Sequence, residues 1–407
     1  MRISTSNLYE TATGQLGSLQ TQLAKTQMQL STNRRLLTAA DDPIASARAL
    51  EVSQSQAMNT QFGTNRSNAK SSLSLVEQAL GDVTSQITDM KTLVVNAGNG
   101  SFGPGDREAL ATELEGRMSS LLGLANTADG TGGYLFSGYK ATTQPFSQTP
   151  TGAQYVGDQG QRSLQVGSAR KMPVTDNGSA IFENNPTGNG RFETQAAGAN
   201  TGSGIVSPGS VTDTSQLTGH DYAISFAVSG TPAVTSYTVT DTSTTPPSAL
   251  QTGVPYQPGA QIAFGGMSLD VKGDPADGDT FTVKPSEKQS IFTTLTSLIQ
   301  ALRAPADDAT GKAALTNGLN TANSNLKNAL DNVLTVQASV GARLKELDYL
   351  DSTGSDLDVQ YATTLGDLQD LDMVKAISLF SQQQMTLQAA QQSFKATSGL
   401  SLFNYIN

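Results

Sequence analysis

The sequence predicts an α+β multidomain protein: a long α-helical coiled-coil bundle formed by the N- and C-terminal segments, with an inserted, mainly antiparallel β outer domain. Three observations carry this. Composition changes twice along the 407 residues. The chain is rich in Gln, Ser, Leu and Ala up to about Leu135, rich in Gly, Thr, Ser and Pro over 140–285, and helical in pattern again from Ile291. In both flanks apolar residues recur at alternating steps of four and three, the helical seam period. In the middle they alternate every second residue, the strand period. The expected division is 1–42 with 372–407 as a terminal coiled-coil core, 43–139 with 286–371 as a helical rod, and 140–285 as the inserted outer domain.

The first helix carries the heptad Ala12, Leu16, Leu19, Leu23, Thr26, Leu30, Asn33 and Leu37. Between Thr11 and Asn33 its only charged side chain is Lys25. A solitary exposed helix normally carries many charges and (i, i+4) pairs. Faces of Gln, Ser and Thr suit packing against other polar helices or lining a channel, although an ordinary bundle helix fits this segment equally well. Asp41-Asp42-Pro43 then punctuates the chain, because Asp caps helix starts and proline fits the first helical position. The next helix is expected from Pro43 to Val95, with Leu73, Val76, Leu80, Val83, Ile87, Met90 and Val94 inward. The glycine-rich stretch 98–105 breaks it. A third helix over 106–128 presents Leu110, Leu114, Leu121 and Ala125.

Strands are expected at Tyr222–Val228, Tyr237–Val239 and Phe281–Val283, with Gly-Gly, Pro-Gly and Asp-Gly turns between them. A smaller sheet is expected over 155–173. The last third opens on Ile291, Leu295, Leu298 and Leu302, and continues as a long helix interrupted or kinked at Ser352–Ser355. The final helix has the heptad Met373, Ile377, Phe380, Gln384, Leu387, Gln391 and Phe394, again with Gln and Ser flanks, and a C-cap at Ser398-Gly399. Two charge-poor heptad helices at opposite ends of one chain are expected to pair with each other and with copies of themselves. The candidate subunit-interface residues are therefore Leu16, Leu19, Leu23, Leu30, Ile377, Phe380, Leu387 and Phe394.

Charge and composition exclude several function classes. The net charge of −10 repels nucleic acid, and no Lys/Arg cluster supplies a basic face. Without a run of about 18 apolar residues, no membrane insertion is expected. Met1–Glu10 is polar, so a cleaved Sec-type signal peptide is not expected. Cysteine is absent, which removes disulfides, thiol catalysis and Cys-based metal sites. The single histidine, His220, lies in a turn-like Gly-His-Asp stretch without the convergent partners that nucleophilic catalysis needs. Asp274, Asp277 and Asp279 invite a calcium reading but lack EF-hand spacing and its terminal Glu, so turn chemistry explains them better. The 98–105 glycines follow a helix rather than a strand and read as a linker, not a phosphate loop. No catalytic residue, metal or cofactor is expected.

Several motifs together resemble the hook-associated protein 3 family of the flagellin superfamily. Leu36-Leu37-Thr38-Ala39-Ala40-Asp41-Asp42-Pro43 is similar to the superfamily's N-terminal signature, in the Asp-Asp-Pro form. Gly133-Tyr134-Leu135-Phe136-Ser137-Gly138-Tyr139 with Pro145-Phe146, then Tyr155-Val156-Gly157-Asp158 with Gly160 and Arg162, resembles that family's approach to its outer domain. Gly273–Phe281 is similar to a segment of hook-associated proteins, and Ser398–Ile406 resembles this family's ending. The resemblance implies a non-enzymatic structural subunit of the bacterial flagellum, exported unfolded by the flagellar type III apparatus and extracellular. It implies self-association in a helical ring joining the first hook-associated protein, on the hook side, to flagellin. It also implies an export chaperone that binds the C-terminal region. A flagellin-like filament subunit and a secreted β-domain binding protein or enzyme stay open as alternatives.

Overall fold

The computed structural model describes residues 5–399. Among these residues six α-helices form the frame: α1 (Thr5–Thr32), α2 (Pro43–Ala97), α3 (Pro104–Ala125), α4 (Ile291–Arg303), α5 (Ala309–Gln369) and α6 (Met373–Gly399). Among the described residues no helix is long and apolar enough to cross a membrane. The chain forms two compact units, 1–64 with 349–407 and 65–348, so compactness divides it within α2 and α5. The expected boundaries at 42/43 and 371/372 fall instead at two helix starts. There Asp42 Oδ1 accepts the Ala45 N–H at 3.0 Å and Asp372 Oδ1 accepts the Lys375 N–H at 3.1 Å, matching N-caps for α2 and α6.

Three expectations are corrected. The α1 heptad does not run through Asn33 and Leu37, because α1 ends at Thr32 and Asn33 takes φ +52°. Asn tolerates that left-handed geometry, and its carbonyl is taken by the Leu371 N–H at 3.4 Å. Ser352–Ser355 does not interrupt α5, which is continuous over 61 residues. Thr353 and Ser355 donate back to the Tyr349 and Asp351 carbonyls, while the buried Gly354 accepts from Asn59 Nδ2 at 2.7 Å. Finally, α3 begins at Pro104, with Asp106 Oδ2 capping the Gly103 N–H at 2.9 Å, and ends at Ala125.

In the second unit, α2 buries the whole expected stripe from Leu73 to Val94, each residue no more than 3% exposed. Helix α4 lies against α3 and buries Ile291, Leu295, Leu298 and Leu302. The segment after α3 is tied to this helical frame. It forms two hairpins, β1 (Phe146–Thr149) with β2 (Gly152–Tyr155), and β3 (Ser163–Gly167) with β4 (Arg170–Pro173). Phe146 and Phe182 pack on Phe292 of α4, with ring centroids 5.5 and 6.1 Å away. The short β5 (Asn185–Pro186) pairs with β15 (Lys288–Gln289), closing a neck.

Beyond the neck lie two antiparallel sheets. One has the order β11-β10-β9-β14-β6, built from β6 (Phe192–Ala196), β9 (Tyr222–Ser229), β10 (Val234–Asp241), β11 (Ser248–Pro255) and β14 (Thr280–Pro285). The other combines β7 (Ile205–Val206), β8 (Ser210–Val211), β12 (Gln261–Phe264) and β13 (Met267–Lys272). The alternation read from the sequence is real: Tyr222, Ile224 and Phe226 point inward, joining Val239, Leu269, Val271, Phe281 and Val283 in one core.

Four asparagines on one side of α5 hold this segment by its backbone. Asn317 accepts the Val206 N–H at 2.9 Å and donates to the Gly204 carbonyl at 3.0 Å. Asn325 accepts the Gly188 N–H at 2.8 Å. Asn328 donates to the Pro186 and Gly188 carbonyls, and Asn332 to Ala180, Ile181 and Asn185. Steps of eight, three and four put these amides on one helix face. They satisfy loop carbonyls and N–H groups that burial would otherwise leave unpaired.

Candidate assembly interface

Within the first unit, α1 and α6 pack antiparallel. Tyr9 and Phe394 meet edge-on with centroids 4.9 Å apart. At the other end Arg34 and Asp370 form an antiparallel bridge, and the Arg35 N–H reaches the Gln369 carbonyl at 2.7 Å. On α1 the inward residues are Ala12, Leu16, Leu19, Leu23, Thr26 and Leu30; Thr26 is buried and the others half-buried. On α6 they are Ala376, Phe380, Gln383, Leu387, Ala390 and Phe394.

One column of the α6 heptad is therefore shifted. Phe380, Leu387 and Phe394 face α1 as expected, but Ile377, Gln384 and Gln391 point outward. Their places are taken by Ala376, Gln383 and Ala390, one residue earlier. Two small alanines make a narrow column, and a search weighted toward large apolar residues selects Ile377 instead. Of the eight candidate interface residues, Leu16, Leu19, Leu23, Leu30, Phe380, Leu387 and Phe394 lie in the seam within one chain, and Ile377 lies outside it.

The charge-poor flanks are chemically self-contained. Thr11, Thr13, Thr21 and Thr32 on α1, and Thr386 and Thr397 on α6, donate their hydroxyls to the carbonyl four residues back. A face so satisfied can be covered without stranding these donors. Apart from Ile377, sequence reasoning missed the outward apolar residues as interface candidates. Val374 (81% exposed) and Met385 lie on the α6 face opposite the seam, by their spacing at about 100° per residue, and the exposed Ile377 lies on the flank between that face and Phe380. Met28 on α1 and Ile44, Leu50 and Met58 on α2 are exposed as well. The signal that could have found them is an apolar side chain off the inward stripe of a helix with few charges beside it.

The acidic link before α2 is tightly bonded. Asp41 accepts the Leu37 and Thr38 N–H groups at 3.0 and 2.9 Å and pairs with Lys25 at 2.6 Å. Its carboxyl is held down at about 2, first by the Lys25 hydrogen bond and then by the Thr38 N–H.

The chemical candidates sit in the second unit and serve as turns. His220 Nδ1 lies 2.7 Å from Asp241 Oδ2, and this bond is the main cause holding the Asp241 carboxyl below its usual range. Among the described residues no hydroxyl bonds the other ring nitrogen, so the pair has no nucleophile to activate. Asp279 is 2% exposed and accepts the Thr201, Gly202 and Ala276 N–H groups. Asp277 accepts the Val228 N–H, and Gly278 takes φ +88°. These carboxylates are used by the backbone, and among the described residues no three acidic or His side chains are grouped to hold a metal ion. The ending motif from Leu400 to Ile406 lies outside the described residues.

Comparison with known proteins bears on this arrangement. Residues 3–141 match the bacterial flagellin N-terminal helical region, and 196–285 match the D2-like domain of flagellar hook-associated protein 1. Flagellar hook-associated protein 3 of Escherichia coli (strain K12) is 31% identical over 404 residues, covering 99% of each chain. The Salmonella typhimurium protein of the same name is equally similar. Among solved structures, the Legionella pneumophila flagellar hook-associated protein 3 aligns at TM-score 0.74 and 33% identity, over 78% of this chain and 98% of that one. The Xanthomonas campestris FlgL structure aligns at TM-score 0.71 and 31% identity, over 77% and 99%.

Proposed function

The chain belongs to the flagellar hook-associated protein 3 family, and we propose that it forms the junction ring joining the hook, through the first hook-associated protein, to the flagellin filament. It is a structural component of the bacterial flagellum, and its relatives are structural proteins rather than enzymes. The observation that carries the finer reading is the doubly apolar α6. One face pairs with α1 in the same chain; the outward side, with Val374, Ile377 and Met385, is left exposed by the described residues. Copies stacked in a ring would bury that second face against the hydroxyl- and amide-rich flanks of their neighbours. The seam leucines act indirectly, by presenting α6 in the right rotation, while Ile377 acts by direct contact between copies.

Export through the flagellar type III apparatus, with a chaperone on the C-terminal region, suits a chain without disulfides whose end helices rest on a thin seam. Deleting the gene and imaging the cells tests the junction role. Hooks without filaments, with flagellin shed into the medium, are expected. Normal filaments on the deletion strain would refute it.

A further inference from the structure

At one end of the helices of the second unit, a cavity of about 110 Å³ opens between the glycine-rich 98–103 link and the first turns of α5. Gly98, Gly100, Phe102, Arg107 and Lys312 line it. Arg107 is out of keeping with a merely structural pocket. Its side chain is only 7% exposed, its Nε has no hydrogen-bond partner, and its ion pair is with Asp307 at 4.0 Å. Asp307 itself is largely in solvent, at 76% exposure. A guanidinium keeps its proton under all ordinary conditions, so this is a buried charge with a weak counter-charge.

The nearby acids are committed elsewhere. Asp106 caps the Gly103 N–H, and Asp308 Oδ1 accepts the Gly311 N–H at 2.7 Å. Lys312 adds a second cation with no carboxylate partner among the described residues. Arg107 and Lys312 stand in the first turns of α3 and α5, so both cations reach the cavity from helix starts. Two glycines in the wall leave the backbone open to a ligand.

We infer that this cavity binds a small oxyanion of the phosphate class, with Arg107 as the buried charge partner and Lys312 as the rim cation. The volume admits a tetrahedral anion, and such an anion supplies the acceptors that the guanidinium lacks.

Titrating the full-length protein with inorganic phosphate, against sodium chloride at matched ionic strength, tests this by thermal melting and calorimetry. A saturable rise in Tm is expected with phosphate and not with chloride. Arg107→Met should abolish it, and Lys312→Met should weaken phosphate affinity several-fold. No saturable shift, or a shift that survives Arg107→Met, overturns the inference. If Arg107→Met does not fold, Lys312→Met decides, and unchanged affinity in it overturns the assignment.

Discussion

Single side chains do much of the positioning, and two of them give direct tests. Asp41 ties the turn after α1 to Lys25 and to two backbone N–H groups. Its folded pKa is depressed from 3.8 to about 2. The stabilisation it contributes is therefore complete above the unfolded value and is lost as pH falls from 3.8 toward about 2. The Leu37 and Thr38 amide resonances should titrate with a midpoint near 2. A midpoint near the ordinary carboxylate value would show that the carboxylate is not so bonded. Asn317 is 9% exposed and joins α5 to the Gly204–Val206 backbone by two bonds. Asn317→Leu strands both backbone partners and should destabilise the second unit by about 2–4 kcal/mol in urea melts. Asn323→Ala, on the exposed side of the same helix, should change little. Equal effects would mean that the asparagine row does not carry the attachment.

Helix pairs differ in how firmly they are held. The α2 stripe from Leu73 to Val94 is fully buried, whereas most α1 and α6 seam residues are only half-buried. Helices of this length gain most of their stability from packing. Amide exchange in the isolated protein should therefore be fast in α1 and α6 and slow over 73–94. Comparable protection in both would contradict the thin-seam account. Gln383 weakens the seam further, because its Oε1 is buried without a partner. Gln383→Leu should slow exchange in α1 and α6 about tenfold, the equivalent of roughly 1.4 kcal/mol; faster exchange would mean the amide is supporting the pair. The same contrast governs what the sequence reveals. Wherever large residues carry the period, as in α2, α4 and β9, pattern alone finds the element and its inward face. Ala376 and Ala390 escaped because small residues leave a faint stripe. The asparagine row escaped because its role is set by loop carbonyls more than a hundred residues away in sequence.

The second unit contains both the helical frame and the inserted segment, and the two are not cleanly separable at 140–285. Phe146 and Phe182 are inside that range, yet they pack on Phe292 of α4 and on each other at 5.4 Å. Removing 140–285 would leave Phe292, now 1% exposed, facing an empty side of the frame. The two sheets beyond the neck, by contrast, share a core of their own that runs from Phe192 to Val283. The neck closes through backbone bonds from Ser286 to the Arg191 carbonyl and from Thr187 to the Glu287 carbonyl, both at 3.0 Å. Chain ends that already meet there can be rejoined by a short linker without strain, the usual condition for an autonomous insertion. Replacing 192–285 with a Gly/Ser linker should therefore leave a soluble, cooperatively melting helical protein. Replacing 140–285 should lower Tm much further or prevent folding, because losing the contacts of a buried Phe cluster costs about 3–5 kcal/mol per large side chain removed. Equal melting temperatures for the two deletions would place the boundary of the independent unit back at 140, and would make the aromatic cluster around Phe292 incidental to the frame.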